Sequence, residues 1–117
     1  MSEYDPAAER AALQWLALTD EGDARESWAA AASLFRRAVS EEQWAAALDV
    51  ARTPLGALIS RRMESARSVH ELPGAPDGDY VIFEFASQFA QKRSALETVT
   101  PMRDSDGQWR VSGYYIR

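Results

Sequence analysis

The first half of the chain carries apolar residues at helical spacing; the second half carries them at alternate positions. Ala8, Ala12, Trp15, Leu16 and Thr19 recur every three or four residues behind Asp5-Pro6. Asp suits a helix N-cap, and Pro suits the first helical position, where its missing N–H costs nothing. Gly22 ends the run. "DARE" (Asp23 to Glu26) has capping-box spacing and precedes the stripe Trp28, Ala31, Ala32, Phe35. "SEEQ" (Ser40 to Gln43) is a cleaner box, with Val39 and Trp44 at the positions of a hydrophobic staple. The stripe Trp44, Ala47, Leu48, Ala51 follows. Thr53-Pro54 stops it, because the residue before proline avoids the α region. Three helices are expected, starting near Pro6, Ala24 and Glu41, with no strand before residue 56.

Residues 57–72 alternate only loosely and predict one long bent strand. "LPGAPDGD" is dense in turn residues and reads as a loop. In "YVIFEFASQFA", Val81, Phe83, Phe85 and Phe89 share one parity, with Tyr80, Ile82, Glu84 and Gln88 on the other. "LETVTPM" predicts a further strand, with Pro101 at an edge or at its end. "RDSDGQ" is a hairpin turn into the last strand, "WRVSGYYIR". Strict alternation places Trp109, Val111, Gly113 and Tyr115 beneath the helices. It places Arg110, Ser112, Tyr114 and Ile116 on the opposite face, together with Ile82 and Tyr80. The prediction is a single α+β domain over residues 1–117, with residues 1–5 frayed. Three N-terminal helices pack on a curved antiparallel sheet of about four strands. The open face would be apolar, which monomers seldom leave uncovered, so a homodimer through the exposed sheet face is expected.

Charge narrows the function. The net charge is −5. Residues 1–56 carry five basic and ten acidic groups, and residues 57–117 carry eight of each. Nucleic-acid binding needs clustered cations, so none is expected, and "LFRRAV" and "SRRMESAR" read as solvated faces. There is no cysteine, which removes disulfides, thiolate chemistry and Cys-based zinc sites. No segment reaches the roughly 18 apolar residues of a membrane span. "MSEYDPAAER" lacks a signal pattern, so the chain as written reads as cytoplasmic, and as periplasmic or secreted if a leader has been removed.

Candidate chemistry is sparse. His70, the one histidine, is followed by Glu71, but adjacent strand residues point to opposite faces, so it reads as a surface residue. "PDGD" and "DSDG" are turn chemistry, and no metal or cofactor is expected. Glu84 and Glu97 lie within apolar strands. They read as cross-strand partners of Arg61, Arg62 or Arg110; an acid–base pair in a cleft is the alternative.

The order of elements and the terminal "DGQWRV" hairpin resemble the nuclear-transport-factor-like, cystatin-like cone fold. The segments "SWAAAASLFRRAVSEEQW", "RTPLGALISRRM", "LPGAPDGDYVIFEF", "FAQKRSALETVTP" and "DGQWRVSGYYIR" resemble something narrower. In order over residues 8–117, they are similar to a bacterial family, domain-of-unknown-function family 4019. The resemblance implies a cone able to hold a small ligand, and it brings no catalytic residue. Trp44, Arg61, Glu97 and Trp109 are then the candidate ligand-binding residues. The expected function is a small non-catalytic binding or protein-interaction domain. The alternative is an enzyme of the isomerase or dehydratase kind, using a pocket carboxylate.

Overall fold

The computed structural model describes residues 3–117. Four helices come first: α1 (Pro6–Asp20), α2 (Ala24–Ala30), α3 (Ser33–Ala38) and α4 (Glu41–Arg52), the last followed by a 3-10 turn at Thr53–Leu55. Four strands follow: β1 (Leu58–Val69), β2 (Tyr80–Phe89), β3 (Lys92–Arg103) and β4 (Trp109–Ile116). They form one antiparallel sheet in the order β1-β2-β3-β4, which does not close. The class is α+β, with helices at the N-terminus and, among the described residues, no strand before Leu58. Of the segment expected to fray, residues 1 and 2 lie outside the described residues. Tyr4 packs edge-on against Phe83, with ring centroids 5.1 Å apart.

Helix starts follow the local signals. The Asp5 carboxylate accepts from the Ala7 N–H, and the Asp23 carboxylate from the Glu26 N–H. At Ser40 both halves of the capping box are made. The residues buried along α1 are Ala8, Ala12, Trp15, Leu16 and Thr19, the stripe itself.

The second expected helix is two. Ala31 and Ala32 are extended, with ψ of 163° and 155°. The Ala32 N–H leaves the helical ladder and donates to the Val111 carbonyl of β4 at 2.8 Å. Asp104 then caps α3, accepting from the Ser33 N–H at 3.0 Å and from the Ser33 hydroxyl. Long-range bonds to the β3–β4 hairpin replace bonds that a continuous helix would make, and no local pattern carries that information.

Three strand expectations are corrected. Pro101 lies within the inner strand β3, at neither an edge nor an end. Its missing N–H is tolerated because the β3–β4 register shifts there, from Thr100↔Gly113 to Pro101↔Val111. The residue skipped is Ser112, whose hydroxyl donates to the Thr100 carbonyl at 2.7 Å. A bulge of one residue reverses the parity beyond it. Tyr114 therefore joins the core beneath the helices, while Tyr115 is 54 % exposed on the open face. The open face expected from strict alternation is also corrected at Ile116, which pairs with the helix-facing Glu97, and at Tyr80. Tyr80 is buried in a small cluster with Ala32 and Met102, and its hydroxyl donates to the Pro76 carbonyl.

Two stability measurements check this architecture. Ser40→Ala should lower stability by about 1 kcal/mol in denaturant unfolding, through loss of the cap. Tyr114→Ala should cost about 3–5 kcal/mol, the range for large buried aromatics, whereas Tyr115→Ala, measured at a dilution that keeps the chain monomeric, should stay within about 0.5 kcal/mol. Equal losses at the two tyrosines would contradict the bulge.

Candidate functional site

Glu97 lies on the helix-facing side of β3 and has 0 % exposure. A buried carboxylate is tolerated only when its charge and lone pairs are met. Here three side chains donate to it: Arg61 Nε at 2.8 Å and Ser87 Oγ at 2.5 Å to Oε1, and the Tyr114 hydroxyl at 2.6 Å to Oε2. Arg52 Nη1 stands 3.9 Å from Oε2. Arg61 belongs to β1 and Glu97 to β3, so the arginine reaches across β2. Ser87, paired with Arg61 on one side and Ala95 on the other, is the small residue at the crossing point.

The network continues to the C-terminal end of α1. Arg61 forks onto both oxygens of Asp20 at 2.9 Å, a bidentate geometry that fixes orientation as well as charge. Arg52 Nη2 donates to Asp20 Oδ1 at 2.8 Å, and Nη1 donates to the Thr19 hydroxyl at 3.1 Å. Arg52 Nε is buried with no hydrogen-bond partner among the described residues. Its guanidinium instead lies over the Phe89 ring, 4.6 Å from the centroid. Two arginines thus alternate with two carboxylates, tying α1, α4, β1 and β3 together.

Ionisation follows from these contacts. Burial pushes the Asp20 carboxyl up, but the hydrogen bonds and charges of Arg61 and Arg52 outweigh it and hold the group below its usual range. Burial likewise opposes the charge of Arg61, and Asp20 and Glu97 more than offset that, so its affinity for the proton rises. Burial first, then the Glu97 charge and hydrogen bond, push the Tyr114 phenol well above its ordinary value, so it remains a donor.

Aromatic rings close the site on the helix side. Tyr114 meets Trp15 at 5.3 Å and Trp44 at 6.4 Å between centroids, and Phe35 meets Trp44 at 5.1 Å. Both indole N–H groups are used: Trp15 Nε1 donates to the Ser27 carbonyl and Trp44 Nε1 to the Ser27 hydroxyl, each at 2.8 Å.

The structure brings three of the four candidate residues together. Arg61 and Glu97 are bonded, and Trp44 packs on the tyrosine that bonds Glu97. Trp109 stands apart: it pairs with Arg103, six residues along β3 from Glu97, or roughly 20 Å at the rise of a strand. Its Nε1 donates to Asp5 Oδ2 at 3.3 Å, and the Arg103 guanidinium lies 5.5 Å from its ring. Open clefts are lined by Arg61 and by Trp109, but Glu97 lines none of these. Glu84 does not pair with an arginine as expected; it accepts from the Ser65 hydroxyl at 3.1 Å. Arg110 pairs with Asp104 and Asp106. His70 is exposed, and its Nδ1 lies 3.1 Å from Asp79, not beside Glu71.

Sequence reasoning missed Asp20, Arg52, Ser87 and Tyr114. Three of them left signals. Arg52 continues the Trp44, Leu48 stripe at the next i+4 position. Asp20 ends α1, where the helix dipole disfavours an anion unless cations meet it. Ser87 interrupts the run Val81, Phe83, Phe85, Phe89 at a core position. Tyr114 left none, because the bulge that turns it inward is set by pairing with β3.

A single substitution and an acid titration test the network. Glu97→Gln should cost about 3 kcal/mol, since it leaves Arg61 and Arg52 buried with less countercharge. A carboxyl whose folded pKa is depressed stabilises the fold above its unfolded pKa, about 3.9 for Asp, and loses that contribution as pH falls through the folded value. Stability should therefore hold down to about pH 5 and fall below about pH 4. Asp104, held low chiefly by the Ser33 backbone N–H, adds to this acid limb. Asp20→Asn should make the limb shallower in unfolding curves taken across that range.

Over residues 11–114, from the second turn of α1 to Tyr114, the chain matches the family described as "Protein of unknown function (DUF4019)". No curated protein and no solved structure matches it. The match reaches into every helix and strand and takes in all four charged residues of the network, and on that ground the chain belongs to the DUF4019 family.

Proposed function

We propose that the chain is a small non-catalytic binding and protein-interaction domain that works through its surface and forms a homodimer across the open sheet face. The observation that carries the non-catalytic reading is the state of Glu97. Its oxygens accept three hydrogen bonds at 0 % exposure, behind packed aromatic rings. An isomerase- or dehydratase-type enzyme would need a carboxylate that substrate can reach. A ligand is placed at the surface for the same reason. The reading keeps the nuclear-transport-factor-like cone and the bacterial setting implied by the resemblance; helices ahead of an antiparallel meander support the cone.

The strand register supports self-association. Ser65, Glu84, Thr98 and Tyr115 form one row across the open face, and Arg67, Ile82, Thr100 and Gly113 lie along the next. A two-fold axis between these rows exchanges them. Tyr115 of each copy then lies over Gly113 of the other, where a Cβ would meet nothing within 4 Å. Arg67 comes beside Glu84 of the other copy, so shape and charge complement each other.

Analytical ultracentrifugation at ~100 μM, where even micromolar dimers are populated, should show a dimer. Tyr115→Glu combined with Ile82→Lys should give a folded monomer. Wild-type monomer at that concentration contradicts the dimer. Turnover that is lost in a still-folded Glu97→Gln protein contradicts the non-catalytic reading.

A further inference from the structure

Two strand irregularities meet at one end of the sheet. The β1–β2 register shifts between Leu58 and Ser60, and the β2–β3 register shifts between Ser87 and Phe89, leaving Arg93 and Ser94 opposite Gln88. Bulges of this kind splay strands and re-aim side chains. Beside them lies an open cleft of about 330 Å³ lined by Ser60, Arg61, Arg62, Gln88, Arg93 and Ser94 among others. Three arginines contribute to its lining, and no acidic residue does so among the described residues. In a chain of net charge −5, that concentration of one sign is a specific feature.

The three arginines are not equivalent. Arg61 is neutralised from behind by Asp20 and Glu97. Arg62 pairs with Glu64 at 2.7 Å, but that pair is largely exposed, so it is weak and readily exchanged. Arg93 is exposed and has no carboxylate partner among the described residues. The cleft therefore offers a free cation, an exchangeable cation and the neutral donors of two serines and one glutamine amide. One carboxylate would use only part of that set. A phosphate monoester carries a charge of roughly −1.5 to −2 and three acceptor oxygens.

We infer that this cleft binds the phosphate group of a small phosphate monoester. The inference rests on the surface-binding reading above and names the ligand class for one part of that surface. Arg93 and Arg62 supply the charge, Ser60, Ser94 and Gln88 supply neutral hydrogen bonds, and Arg61 holds the floor against the buried network. Because Ser87 joins Arg61 in bonding Glu97, the floor is held from inside the fold. Only the rim has to move on binding.

The probes are glycerol phosphate, sodium acetate, and vesicles with and without phosphatidylglycerol, which carries the same chemistry as a diester headgroup. Backbone amide shifts of isotope-labelled full chain provide the readout. Glycerol phosphate should shift Ser60, Gln88 and Ser94 saturably, more tightly than acetate, and more weakly as salt is raised. Arg93→Ala should weaken it about tenfold, the loss expected for one charge-assisted hydrogen bond, while Arg37→Ala on α3 should leave it unchanged. Both variants change exposed residues, and unaltered amide spectra establish that each is folded. Absence of saturable shifts, equal binding of acetate, unchanged affinity in Arg93→Ala, or binding only to the anionic vesicles would each overturn the proposal. A protein that dimerises but ignores glycerol phosphate loses this site and retains the interaction reading.

Discussion

The structure depends on one requirement: a carboxylate with no exposure must be fully met from within. Glu97 sits where the sheet, the end of α1 and the end of α4 converge. Moving a carboxylate out of water is costly unless countercharge and hydrogen bonds replace the lost hydration. Every element near Glu97 contributes to that replacement. β1 supplies Arg61, β2 Ser87, β4 Tyr114, and α4 Arg52; Asp20 of α1 balances the two cations. Apolar contact is non-directional, whereas the hydrogen-bonded network fixes the geometry of the contacts between helices and sheet. Both faces of the Tyr114 position share the constraint, since its ring belongs to the Trp15–Trp44–Phe35 packing and its hydroxyl to Glu97.

A second junction fixes the other end. The β3–β4 hairpin reaches back to the helices through Asp104, which caps α3, and through Val111, whose carbonyl accepts from Ala32. The same hairpin contains the Ser112 bulge that turns Tyr114 inward. Helix break and strand bulge are therefore parts of one docking arrangement. The turn into the sheet is equally confined: Gly56 has φ of +75°, and a Cβ there would come 3.2 Å from that of Ala90. A larger residue at this point would push the start of β1 away from the β2–β3 turn.

Most of the fold was legible because helix caps, apolar stripes and strand alternation are local. The α1 stripe, the Ser40–Gln43 box and the boundaries of β2 and β4 follow from residues close in sequence, whereas β3 starts at Lys92, four residues before the run that marks it. The misreadings at Ala31–Ala32, Pro101 and Tyr114/Tyr115 have a common cause: in each, a partner far along the chain decides the backbone. One extra residue at Ser112 was enough to exchange the roles of two adjacent tyrosines. The site was half legible. Glu97 and Arg61 stand out as charges in apolar surroundings, whereas Asp20 and Arg52 stand at helix ends and Ser87 at a core position, where only tertiary partners show their role. Trp109 was grouped with Glu97 by its aromatic character, and the strand register separates them.

Glu97 and Arg61 form a mutually dependent pair that positions the elements. A double-mutant cycle in denaturant unfolding tests this most directly, using Arg61→Met, Glu97→Leu and the two together. Each single change strands a buried charge and should cost about 3–5 kcal/mol, while the double change replaces both charges with apolar volume and should be much less costly than the sum. Additive losses, with a coupling energy within about 0.5 kcal/mol of zero, would contradict the central role assigned to the pair.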